Sequence, residues 1–73
     1  MVRRESFVNK IRTLKYKFKA QQKRTYLWRQ AGTTNYISVP MCDFLEDDYV
    51  KNTLRQAGCS AEEIQAFLAS AKS

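Results

Sequence analysis

Apolar side chains recur along this chain with two different periods. Phe7, Val8, Ile11 and Leu14 stand at relative positions 0, 1, 4 and 7, which is one face of a helix over residues 4–14. Arg3, Arg4, Lys10 and Arg12 then project from its exposed side. From residue 15 the period shortens to two. Lys15, Lys17 and Lys19 alternate with Tyr16, Phe18 and Ala20, so a strand over residues 16–20 sends the ammonium groups to one face and the apolar groups to the other. Residues 21–24 are polar and lack glycine, which predicts a loop of about four residues rather than a tight two-residue turn.

A second strand is predicted over residues 25–30, where the two faces compete. Tyr26 and Trp28 share one side, and Thr25, Leu27 and Arg29 share the other. If Leu27 turns to the helices, Tyr26 and Trp28 lie on an open sheet surface near the lysine row; if the rings are buried, Arg29 must snorkel from the core side. Periodicity alone does not choose. After a turn at residues 31–34, a third strand over residues 35–39 sets Ile37 and Val39 on the covered face and ends at Pro40. Residues 41–46 connect to a helix over residues 47–57, with Val50, Leu54 and Ala57 as its stripe and Asp47 and Asp48 in its first turn, where acids favour the helix dipole. Gly58 follows as the residue beyond the helix end, and Ser60-Ala61-Glu62-Glu63 has the capping-box pattern of a last helix bearing Ile64, Phe67 and Leu68.

The predicted class is therefore α+β in the order α-β-β-β-α-α, a three-stranded antiparallel sheet with helices on one face. The basic hairpin at residues 15–30 is its centre. An isolated hairpin is at best marginally stable in water, so the helices must cover its apolar side.

Length reinforces this picture. Seventy-three residues make one domain, residues 1–73, and a chain of that size buries only about 60 % of the surface its unfolded form exposes, which leaves little room for a deep catalytic cavity. With 44 % hydrophobic residues, two glycines and one proline, the composition is that of a folded domain rather than a disordered segment. No stretch approaches a membrane span and no apolar signal core follows Met1, so the expected location is cytoplasmic, with no membrane partner. Cys42 and Cys59 lie 17 residues apart in a chain without histidine, which argues against a four-ligand zinc site; both read as small, partly buried apolar residues rather than a disulfide.

Charge separates along the chain. Residues 1–30 hold ten Lys or Arg against the single acid Glu5, a net of +9, whereas residues 31–73 hold three bases and six acids, a net of −3. Solvation alone does not require the signs to separate. A dipolar charge distribution steers a polyanion towards one end, and nucleic acid is the most abundant polyanion.

Catalytic constellations are thin by contrast. Without histidine no serine or cysteine has the usual base, and no glycine-rich phosphate loop is present. The acids Glu46, Asp47 and Asp48, with Asp43, could gather a divalent cation, but three acids at a helix start are more simply a dipole-compensating cap. Neither a metal, a cofactor nor a small-molecule substrate is expected.

Several short segments nevertheless resemble one family in register. Phe7-Val8-Asn9-Lys10-Ile11 followed by Leu14-Lys15-Tyr16-Lys17-Phe18 resembles the opening helix and the "Leu-Gly-Tyr/Trp" junction of the HicA toxins, with Lys15 in place of the usual glycine. Leu27-Trp28-Arg29 resembles their apolar-aromatic-basic strand, and Ile37-Ser38-Val39-Pro40 their "Val-Thr-Val-Pro". Thr53-Leu54-Arg55 with Gln56-Ala57-Gly58-Cys59-Ser60-Ala61-Glu62-Glu63 resembles a slightly shortened form of their ending. The resemblance spans nearly the whole chain. It implies a fold like the double-stranded RNA-binding domain and membership of bacterial toxin-antitoxin systems, in which these small toxins cleave mRNA independently of the ribosome.

One departure bears on activity. Where the family carries Gly-Ser-His at the start of the second strand, this chain has Lys23-Arg24-Thr25-Tyr26, so Thr25 or Tyr26 stands at the position of the catalytic histidine, depending on a one-residue choice of alignment. Neither is a good base at neutral pH, because tyrosine ordinarily titrates near pH ~10 and threonine not in the useful range. The family's frequent histidine after the third strand's proline is replaced by Met41-Cys42.

The expected function is a small RNA-binding module with a HicA-like fold and no histidine-dependent cleavage, hence no assigned catalytic residue. Lys15, Lys17, Lys19, Lys23, Arg24 and Arg29 are the expected phosphate contacts, with Tyr26 or Trp28 packing on sugars or bases. Two alternatives stand beside it: an mRNA-cleaving toxin using Tyr26 with Lys23 or Arg24, and a protein-interaction module whose basic sheet is covered by an acidic, antitoxin-like partner.

Overall fold

The computed structural model describes residues 1–71. A short strand β1 (Val2–Arg3) leads directly into helix α1 (Arg4–Thr13), followed by the three strands β2 (Tyr16–Gln21), β3 (Thr25–Gln30) and β4 (Tyr36–Pro40). A second short strand β5 (Phe44–Leu45) and the helices α2 (Asp47–Gln56) and α3 (Ala61–Ala71) complete the order. The main sheet is antiparallel with the order β2-β3-β4, and β1 pairs with β5 in a separate two-stranded sheet. The architecture is α+β, with a three-stranded antiparallel sheet and three helices.

The sequence pattern contains no sign of β1 and β5. Two residues are too few for any period, and their pairing, Val2 opposite Leu45 and Arg3 opposite Phe44, depends on chain segments more than 40 residues apart. This small sheet sets the entry to α1, because the Arg4 N–H donates to the Asp43 carbonyl at 2.9 Å.

One core joins every layer. Phe7 and Ile11 from α1, Val50 and Leu54 from α2, and Ile64 and Leu68 from α3 meet Tyr16, Trp28, Ile37 and Val39 from the sheet, with Val2, Leu45 and Cys59 filling the space between. Tyr49 of α2 ties the helix to β4, its hydroxyl donating to the Ser38 carbonyl while its ring tilts against Phe7 at 5.8 Å between centroids.

Two of the helix ends follow local rules closely, whereas the N-caps Arg3 of α1 and Glu46 of α2 make no side-chain cap hydrogen bond. At the end of α2 the Gly58 N–H donates to Arg55 O at 3.1 Å and the Cys59 N–H to Leu54 O at 3.0 Å, and Gly58 has φ +97°, the left-handed residue of a Schellman motif. At the start of α3 the Glu63 N–H donates to Ser60 Oγ at 3.2 Å and the Ser60 N–H to Glu63 Oε1 at 3.4 Å, a reciprocal capping box. The end of α1 has the same left-handed turn as α2, but the residue there is Lys15, at φ +71°. Lys15 therefore lies before β2 rather than within it, and the lysine row of the strand begins at Lys17.

The β2–β3 register shifts between Phe18 and Ala20, so Lys19 sits in a bulge and the strict alternation of residues 15–20 is broken. On β3, Trp28 is 6 % exposed and lies opposite Ile37, which turns Tyr26 and Trp28 to the helix side. Arg29 does not snorkel. It shares the other, open face with Leu27. Of the two cysteines, Cys59 is buried but Cys42 is exposed, and neither is bonded to the other, so the reading of both as partly buried holds for Cys59 alone.

Candidate nucleic-acid interface

The residues expected to contact RNA fall into four places. Lys17, Lys19 and Arg29 converge on the open face of the sheet, since Lys17 stands opposite Arg29 and Arg29 opposite Tyr36 across the three strands. Lys15 occupies the α1–β2 junction. Lys23 and Arg24 are exposed in the loop at the far end of the hairpin, and Tyr26 and Trp28 line the helix side. Trp28 is thus no open-face stacking platform: buried rings cannot offer a free face to a base.

Tyr36 takes that place on the open face. It is 47 % exposed, with the Lys19 ammonium 5.3 Å and the Arg29 guanidinium 6.0 Å from its ring centre. Lys19 Nζ also donates to the Tyr36 hydroxyl at 3.4 Å, and Arg29 Nε donates to the Thr33 carbonyl at 3.0 Å, which anchors one side of the guanidinium and leaves its outer nitrogens to a ligand. Among the described residues no ion pair engages Lys17, Lys19 or Arg29. A shallow depression of about 500 Å³, bordered by Lys17, Lys19, Arg29 and Gly32, adjoins the ring cluster. Tyr36 was legible in principle, because Ile37 and Val39 on the covered face oblige Tyr36 and Ser38 to face away.

A second cation-aromatic cluster lies on the helix side of β2. Phe18 is 53 % exposed although alternation places it on the covered face, and its ring meets Trp28 edge-on at 5.9 Å and Tyr26 tilted at 6.1 Å. Arg4 stands over the Tyr26 ring at 5.6 Å and Arg12 over the Trp28 ring at 5.4 Å. The signal in the sequence is the spacing of Arg4, Val8 and Arg12, which puts all three on one stripe of α1. The indole Nε1 of Trp28 is buried without a hydrogen-bond partner.

Acid-base chemistry finds little support in the surroundings. Burial pushes the hydroxyls of Tyr16 and Tyr49 above their ordinary range, the nearby Cys59 adding to the effect at Tyr16 and a hydrogen bond with Thr53 opposing it at Tyr49. The Cys59 thiol is raised mainly by burial, with Lys10 opposing and Glu63 reinforcing, so it stays protonated and unreactive near neutrality. Glu46 is the N-cap of α2 with Asp47 and Asp48 in its first turn, and no group of three metal-ligating side chains occurs among the described residues. No helix among them is long and apolar enough to cross a membrane. The chain matches no family model, no curated protein and no solved structure.

Proposed function

We propose that this chain is a small RNA-binding module with a HicA-like fold, akin to the double-stranded RNA-binding domain, that acts without histidine-dependent cleavage. The observation that carries the reading is the open sheet face, where Lys19 and Arg29 flank the exposed Tyr36 and Lys17 stands opposite Arg29, with no carboxylate paired to these cations among the described residues. Unpaired cations held at one surface attract phosphates, and an exposed ring among them accepts a sugar or base. The positive φ at Lys15 supports the resemblance, because a glycine of the "Leu-Gly-Tyr" junction would take that conformation without strain.

Titration of the protein into labelled single- and double-stranded RNA at 50 mM and 200 mM salt (about a fourfold range), with the same samples run on a denaturing gel, tests the proposal. Binding that weakens with salt and leaves the RNA intact is expected. The double substitution Lys17→Ala, Lys19→Ala should flatten the log–log salt slope by about 1.4–1.8, two phosphate contacts at about 0.7–0.9 each. An unchanged slope removes the open face from the interface, and cleavage that persists in chelator restores the enzyme reading.

A further inference from the structure

We infer that the hollow between the end of α1 and the outer edge of β2 takes one unpaired nucleobase of a single-stranded RNA, stacked on Phe18. The inference rests on the RNA-binding reading and adds to it a second contact surface, around the β2 edge from the open face.

Four observations converge there. The hollow, about 340 Å³, is bordered by Arg12, Lys15, Tyr16, Lys17, Phe18 and Trp28, a volume within the range of small-ligand sites. Phe18 offers a ring that is 53 % exposed, its contacts with Trp28 and Tyr26 being edge-on and tilted rather than stacked. Three cations rim the hollow, Arg12, Lys15 and Lys17, and among the described residues no acid does. Arg4 and Arg12 are eight residues apart on one stripe of α1, about 12 Å along its axis, far enough to hold different phosphates of one strand on either side of the stacked base.

A ring exposed on an edge strand also invites a second copy of the chain. Antiparallel pairing of two β2 edges would bring the Lys17 and Lys19 side chains of one copy against those of the other, and like charges directly opposite are destabilising. A polyanion meets the same surface with complementary charge. A continuous duplex, with its bases paired and stacked inside, has none to offer, so the site selects single-stranded segments or loops.

The test uses a short single-stranded RNA carrying 2-aminopurine, whose fluorescence falls when it stacks on an aromatic ring. The wild-type protein should quench it and bind the oligonucleotide more tightly than a duplex of the same length. Phe18→Leu keeps an apolar side chain but removes the stacking face, so quenching should drop to what Tyr36 alone sustains and single-strand affinity fall about tenfold to a hundredfold, with duplex affinity changed far less. Phe18→Tyr should restore both. Circular dichroism and thermal melting of each variant confirm that the fold is retained, which is expected for a half-exposed side chain.

If Phe18→Leu leaves quenching and affinity intact while Lys17→Ala, Lys19→Ala still flattens the salt slope, the nucleobase site is refuted and the RNA-binding reading stands. Absence of RNA binding at low salt overturns both. A dimer by light scattering that Phe18→Leu dissociates overturns the inference in favour of self-association.

Discussion

Replacement of Lys15 by glycine should stabilise the protein, and the reason lies in the backbone rather than in charge. Lys15 is the residue after the end of α1 and is held at φ +71°, its N–H donating to Arg12 O at 3.1 Å and its carbonyl accepting from the Ala31 N–H at 2.9 Å. Both bonds belong to the main chain and survive any side-chain change. An L-residue in the left-handed region costs about 1–2 kcal/mol, and glycine removes that cost while losing about 0.4–1 kcal/mol more backbone entropy on folding. The net gain is about 0.5–1 kcal/mol. For a domain of this size that raises the melting temperature by about 2–8 °C.

Lys15→Ala is the control, because alanine removes the same charge but keeps the Cβ that causes the strain. Thermal and urea denaturation should therefore place Lys15→Gly above both Lys15→Ala and the parent chain, whereas RNA affinity should fall by the same factor in the two variants. A glycine variant no more stable than the alanine variant would refute the strain argument. Equal stabilisation of both would instead assign the effect to relief of charge repulsion among the lysines.

Truncation of Leu54, wholly buried where α2 joins the core, should cost about 2–5 kcal/mol as Leu54→Ala; measured against a total stability of about 4–11 kcal/mol for such a chain, urea denaturation should show a large loss. Ser60→Ala removes the acceptor for the Glu63 N–H and should cost about 1 kcal/mol, seen as a lower midpoint with an unchanged denaturant slope. Alkaline pH should destabilise the fold, because Cys59, Tyr16 and Tyr49 all hold their protons more tightly when folded. Their contribution is fully present below the unfolded-state values and is lost as pH rises through the raised folded ones, so stability should decline from about pH 9 upward, first through Cys59. Cys59→Ala should delay the onset of that decline in a pH series of melting curves.

Much of the architecture was legible because local chemistry carried it. The helical stripe of Phe7 and Ile11, the alternation around Ile37 and Val39, the glycine after α2 and the Ser60–Glu63 pair each satisfy a rule that operates within a few residues. The bulge at Lys19 and the pairing of β1 with β5 were not legible, since both are set by where a distant strand happens to lie. The same holds for the faces of β3. Its side chains alternate whichever way the strand is turned, and only its pairing with β4, where Trp28 meets Ile37, decides that the indole is covered and Arg29 is open.

For the candidate interface, the sequence by itself determined the charge asymmetry, the absence of a histidine base and the presence of rings among cations. The tertiary structure decided which rings those are. Tyr36 reaches Lys19 and Arg29 because three strands lie side by side, and Phe18 is half-exposed while α1 lays Arg4 and Arg12 over its neighbours Tyr26 and Trp28. Composition and period are properties of the chain near each residue, whereas exposure is a property of everything packed around it.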